Sequence, residues 1–182
     1  MLVFRNQTSY NRFWDGRNSL TTIHTAIRNM TRTILTHAYN ANRTPLSTHE
    51  KQDIERTIRV LMAFPIAVKH YLRSEWATWV SRDGNGAGNL IGSITEGGHG
   101  AGSYDPEYES LLPTGFEGRE SEGLGIPLEL TFFVDGFIKR GVERAWFDGP
   151  GASQMQTQLN DLTDAYGRME TIKLTPIPIA HL

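Results

Sequence analysis

The sequence predicts an all-α chain of four amphipathic helices in two hairpins, joined by a long glycine-rich disordered insert. Three observations carry that reading. Apolar residues recur at three- and four-residue spacings through four separate windows, the period of a helix with one buried face. No window shows the apolar/polar alternation of a half-buried strand. Between Gly84 and Gly125 lie 12 of the 18 glycines, in a stretch without periodicity that separates the first two windows from the last two. The boundaries that follow are a first helical hairpin over 1–80, an insert over 81–125, and a second hairpin with a closing proline turn over 126–182.

From Asn6 to about Asn40 the apolar positions are Tyr10, Phe13, Trp14, Leu20, Ile23, Ile27, Met30, Ile34, Leu35 and Ala38, a helical stripe. The opposite face is Asn, Thr and Arg, residues of modest helix propensity, so packing has to hold this helix together. The stretch from Asn40 to Pro45 ends it. Ser47 followed three residues later by Glu50 is a capping box, which places the next helix start near Thr48. That helix turns Ile54, Ile58, Leu61, Val68, Tyr71 and Leu72 inward, is expected to kink at Pro65, and runs to about Val80.

The insert has too little apolar surface to offset the entropy of ordering it, and reads as a mobile loop. Order resumes at Ile126-Pro127, where a proline near a helix start is favourable, and continues through Leu130, Phe133, Val134, Phe137, Ile138, Val142 and Trp146. Gly136 and Gly141 each weaken this helix by about 1 kcal/mol relative to alanine and permit a close approach. Asp148-Gly149-Pro150-Gly151 is a turn. The last helix carries Met155, Leu159, Leu162, Tyr166, Met169 and Ile172 on one stripe and ends at the Thr175-Pro176 step.

Composition excludes several classes of function. A net charge of −2 and a pI near 6.3, with basic residues scattered instead of blocked, argue against a nucleic-acid partner. The absence of cysteine removes disulfides, thiolate metal ligands and cysteine nucleophiles. The glycine runs at Gly84–Asn89 and Gly97–Gly102 follow no strand and lack the Lys-Ser/Thr of a phosphate-binding loop, so they read as linker. The six histidines show no metal-ligand spacing, and the acidic run Asp105, Glu107, Glu109 lacks the glycine and terminal glutamate of a calcium loop. Asp161 and Asp164 share the polar face of their helix. No catalytic residue, metal ligand or cofactor site emerges.

No window approaches the roughly 18–20 apolar residues that cross a bilayer, and no signal peptide opens the chain. Yet the first residues, Met1-Leu2-Val3-Phe4, and the last, from Ile177 to Leu182, are apolar, so both ends read as cut from a longer polypeptide.

Three motifs carry a family resemblance. Phe4-Arg5-Asn6 followed by Ser9-Tyr10-Asn11-Arg12-Phe13-Trp14-Asp15-Gly16-Arg17 resembles the segment after the second membrane helix of bestrophins, fungal bestrophin-like proteins above all. Leu61 to Arg73 is similar to that family's middle cytoplasmic helix, and Thr175-Pro176-Ile177-Pro178 to the turn before its third membrane helix. The motifs occur in the family's order over almost the whole chain; the stretch from Ser81 to Gly125 has no counterpart. The resemblance implies the cytoplasmic middle of a multi-pass, pentameric ion channel, mostly for chloride and other anions, with membrane helices missing upstream and downstream. It implies that function is permeation, not turnover, and that the membrane is reached through the missing segments.

By motif, Ile177 corresponds to the family's cytoplasmic aperture and Phe4 to the innermost neck position. Arg12, Trp14 and Arg17 are implied to anchor and pack, and Pro176 and Pro178 to build the turn. Two upstream neck positions and the acidic calcium clasp of animal members are absent, so calcium gating does not follow. Two other readings stand behind the channel fragment: a soluble helical interaction module without an exposed apolar stripe, and an enzyme holding a phosphate ligand in the glycine loops.

Overall fold

Asparagine- and threonine-rich as it is, the first window forms a single helix of 39 residues, α1 (Leu2–Asn40), about 58 Å long at the α-helical rise. The computed structural model describes residues 2–40, 45–73, 106–113, 116 and 125–175. After α1 come α2 (Thr48–Arg73), a short α3 (Pro106–Leu111), α4 (Ile126–Glu143) and α5 (Gly149–Leu174). The fold is all-α, built on four long helices at the four positions that the periodicity assigns.

The capping box forms as the sequence requires. The Ser47 backbone N–H donates to Glu50 Oε2 at 2.8 Å, and the Glu50 N–H donates back to Ser47 Oγ at 3.2 Å. The Ser47 hydroxyl, which donates to Glu50 Oε2 at 2.7 Å, and then the Ser47 backbone N–H hold the Glu50 carboxyl below its usual pKa range. From this start α2 runs as one helix through Pro65 to Arg73.

Which helices share a face is not what sequence order suggests. α1 packs chiefly on α5 and α2 chiefly on α4, so the broadest interfaces lie between the two hairpins instead of within them. Both pairs are antiparallel. Along α1 and α5, Asn29 Nδ2 donates to Gln158 Oε1 at 3.2 Å, the His37 and Phe147 rings meet at 6.0 Å, and Arg12 reaches the last turn of α5. Along α2 and α4, Asp53 meets Arg140 and Arg144, and Tyr71 meets Gly125. The core between the pairs takes Ile23, Met30 and Ile34 from α1, Leu61, Phe64 and Val68 from α2, Leu130 and Phe137 from α4, and Met155 and Leu162 from α5.

Four local readings change. The α1 stripe is buried only from its middle onward: Ile23, Met30 and Ile34 are wholly buried, whereas Tyr10, Phe13 and Trp14 are 57%, 66% and 44% exposed. The third predicted helix ends at Glu143, and Trp146 sits in the turn beyond it, buried, while Val142 is exposed.

That turn is a Schellman motif. The Trp146 N–H donates to Gly141 O at 2.8 Å and the Ala145 N–H to Val142 O at 3.0 Å, with Ala145 in the left-handed region at φ 57°. Within the expected insert, α3 is ordered: Tyr108 is fully buried, its ring 5.5 Å from that of His70, and Phe116 meets Phe133 at 5.9 Å. Residues 81–105, 114–115 and 117–124 of the insert lie outside the described residues, as does the stretch 74–80 that the sequence assigns to the second helix.

Candidate functional site

The residues singled out in the sequence gather, as far as they are described, at one pole of the bundle. Antiparallel packing of α1 on α5 brings the start of the first helix beside the end of the last. Arg12 spans the gap. Its guanidinium donates through Nη1 to the Thr175 carbonyl at 2.6 Å and through Nη2 to the Ile172 carbonyl. These carbonyls belong to the C-terminal turn of α5, where backbone acceptors have no donor further along the helix and where the helix dipole favours a cation. Thr175, the C-cap, has already turned extended, with φ −96° and ψ 103°, as a residue before proline should.

Trp14 is the centre of an exposed aromatic group. Its ring lies 6.0 Å from that of Tyr10 and 6.1 Å from that of Phe13, both edge-on. Arg17 is exposed on the same helix, and its carbonyl accepts the Thr21 hydroxyl at 3.0 Å. Phe4 lies in the first turns of α1, with its side chain outside the described residues. Ile177, Pro176 and Pro178 also lie outside them. The structure therefore brings Arg12 to the C-terminal end of α5.

Two further polar clusters hold helices together. Asp53 on α2, its side chain 9% exposed, receives Arg140 Nη2 at 2.7 Å, Arg140 Nε at 3.0 Å and Arg144 Nη1 at 2.6 Å from α4. Burial pushes the Asp53 carboxyl up, but the two guanidiniums outweigh it and hold the pKa below its ordinary value. At the other end, the Tyr71 hydroxyl donates to Glu170, Tyr166 shares the same carboxylate oxygen at 3.4 Å, and Lys173 Nζ donates to the Tyr71 carbonyl at 2.6 Å. Burial first, then its bond with Tyr71 and the Glu170 charge, push the Tyr166 pKa up, so this group stays a neutral phenol.

The half-open groove beside Asp53, about 510 Å³ and lined by His49, Arg56, Glu129 and Phe132 among others, mixes both charges on apolar walls. Its strongest carboxylate is engaged by two arginines. Among the described residues no group of histidine, aspartate and glutamate is placed to hold a metal ion, and no helix is long and apolar enough to cross a membrane.

Sequence reasoning passed over both connections, though each left a signal. Arg140 and Arg144 are one turn apart on a core helix, a spacing that calls for an acid opposite. Proline at 176 has no N–H to give to the Ile172 carbonyl, which marks that carbonyl as needing a donor from elsewhere.

Comparison with known proteins agrees over the whole length. The family model for bacterial and fungal bestrophin proteins matches residues 1–182. A voltage-dependent anion channel-forming protein of Synechocystis is 28% identical over 183 residues, which is 100% of this chain and 48% of that protein. Its counterpart in Nostoc is 25% identical over 181 residues, with the same coverage of each. A crystal structure of a bacterial bestrophin homolog from Klebsiella pneumoniae superposes with a TM-score of 0.67 at 23% identity, covering 98% of this chain and 53% of that one. The chain thus spans about half the length of the relatives it matches. With the family model matched from end to end, and with the same helical fold, the chain belongs to the bestrophin family.

Proposed function

We propose that this chain is the intracellular middle portion of a bestrophin-like anion channel, a homo-pentamer through which chloride permeates passively, with membrane helices preceding residue 1 and following residue 182. One observation carries the reading: α1 enters and α5 leaves at the same pole, joined there by Arg12. A segment inserted between two membrane helices has to depart from and return to one surface, and this arrangement does both.

The exposed Tyr10, Phe13 and Trp14 stand at that same pole, where amphipathic aromatic rings suit a membrane boundary or a neighbouring subunit. They also count against a soluble interaction module, which should cover such a stripe. In this reading Phe4 and Ile177 lie on the fivefold axis as neck and aperture, where apolar side chains gate by making a narrow pore unfavourable for water and ions. The same reading gives Pro176 and Pro178 the role of building the turn around Ile177.

The test is chloride efflux from liposomes carrying the full reading frame, with subunit number from the mass of the detergent-solubilised assembly. Efflux above that of empty vesicles, from a pentamer, and altered selectivity or conductance in Ile177→Ala are expected. A reading frame that ends at Leu182, or a purified assembly that passes no anion, overturns the channel. Wild-type permeation in Ile177→Ala removes the aperture role alone.

A further inference from the structure

The outward face of α1, opposite the buried Ile23, Met30 and Ile34, carries His24, Arg28 and Arg32, all exposed. From Gly16 to Asn40 this helix has no carboxylate. The outward face of α5 has the other sign: from Gly149 to Gly167 its only charged residues are Asp161 and Asp164, both exposed. No ion pair among the described residues joins the two sets within one chain.

The two faces also match in height. Asn29 on α1 meets Gln158 on α5, and the helices are antiparallel, so positions along the bundle compare at about 1.5 Å per residue from that contact. Arg28 and Asp161 then stand within about 3 Å of each other in height, and His24 and Asp164 within about 2 Å. On each helix the two members are one turn apart. Toward the pole the match ends, because Arg17 stands close to the height of Arg168, a like charge.

We infer that the outward face of α1 in one protomer docks on the outward face of α5 in the next copy, with Arg28 against Asp161 and His24 against Asp164. This rests on the pentameric channel reading above and names a contact that closes its ring. In that reading the symmetry axis runs along the bundle, since the chain enters and leaves at one pole. Rotation about an axis leaves height along it unchanged, so residues that meet between neighbouring copies must stand at equal heights on two different faces. Opposite charges so placed suit a head-to-tail contact, which a cyclic assembly needs. Exposed ion pairs add little affinity each; their part is to choose the neighbouring face and set its height.

The experiment is subunit exchange between differently tagged assemblies of the complete protein in detergent, followed by native mass spectrometry, for wild type, Arg28→Glu, Asp161→Arg and the two combined. Either single reversal is expected to speed exchange by about fivefold, because it removes a pair and sets like charges against each other. The combined reversal restores an attractive pair and should return exchange to within about twofold of wild type. Raising salt from about 0.1 M to 1 M should narrow the gap between wild type and the single variants. Lys51→Glu with Lys139→Glu, exposed charge reversals on α2 and α4, should leave exchange at the wild-type rate.

Wild-type exchange in both single variants overturns the proposal, and so does a combined variant no better than the singles, since each residue would then act through something else. If a single variant does not assemble at all, the combined variant decides: assembly restored supports the pair, and assembly still absent refutes it. A stable wild-type pentamer indifferent to these changes sinks this contact alone; a wild-type protein that forms no ring sinks the pentamer and this contact with it.

Discussion

Replacing Gly141 with alanine should destabilise the protein although it removes a glycine from a helix. A Cβ at Gly141 would stand 2.3 Å from Phe147 Cε2 and 2.5 Å from its Cδ2, well inside contact distance. Phe147 cannot retreat cheaply: it is buried, and its ring packs at 6.1 Å on Phe137 and 6.0 Å on His37. Forcing a methyl into such a site costs about 1–3 kcal/mol. Alanine regains at most about 1 kcal/mol of helix propensity, less in a last turn. The net loss is about 1–2 kcal/mol, which lowers Tm by roughly 2–8 °C for a chain of this size.

Gly136 supplies the control on the same helix, where an added Cβ meets only Arg140 Nη1, at 3.2 Å, the far end of a flexible side chain. Gly136→Ala should gain about 0.5 kcal/mol, propensity less the small shift of Arg140. Thermal unfolding followed by tryptophan fluorescence compares the two. A Gly141→Ala protein as stable as Gly136→Ala would refute the steric argument and leave propensity alone in charge.

Two other outcomes follow from local geometry. Ala145→Gly should raise Tm, because it removes a left-handed strain of about 1 kcal/mol at φ 57°, offset in part by the freer unfolded chain; a lower Tm would show the alanine methyl to be needed for packing. Asp53→Asn should cost about 1–2 kcal/mol at neutral pH, the value of charged hydrogen bonds discounted because Arg140 is 42% exposed. The Asp53 carboxyl is depressed in the folded state, so its contribution is complete above the ordinary value of 3.8 and is lost as pH falls through the lower folded pKa. The gap between wild type and variant should close only under acid, and a gap that stays constant there assigns the loss to packing.

How much of this was legible depends on the range over which each cause acts. The Ser47–Glu50 box, the four apolar stripes and the end of α5 at Thr175 are set by residues within a turn or two, and they read directly from spacing. Partner choice is not local. A stripe says that Ile23, Met30 and Ile34 need cover, and nothing in it says that α5 provides it ahead of α2. Trp146 was misplaced because an alanine holds the position where glycine announces a helix end. Inside the insert, Tyr108, Leu111, Leu112 and Phe116 do fall at helical spacing, but four residues among so many glycines are outweighed by their surroundings. Arg12 stood in a motif that could be read only as packing, because its acceptors lie some 160 positions away in sequence.

The weak helix at the start of α1 ties these points together. Thr8, Ser9 and Asn11 favour helix little and are exposed, and Arg12 meets α5 at its last described turn. A segment of that composition is unfavourable as an isolated helix in water, and about ten residues are too few to hold one by propagation alone. Among the described side chains of α1, burial begins at Ser19. The first turns are therefore anchored at one end, by Arg12 and the core beyond it. That division sets the boundary between the buried part of α1 and its exposed start in the stretch from Arg12, which reaches the last turn of α5, to Ser19.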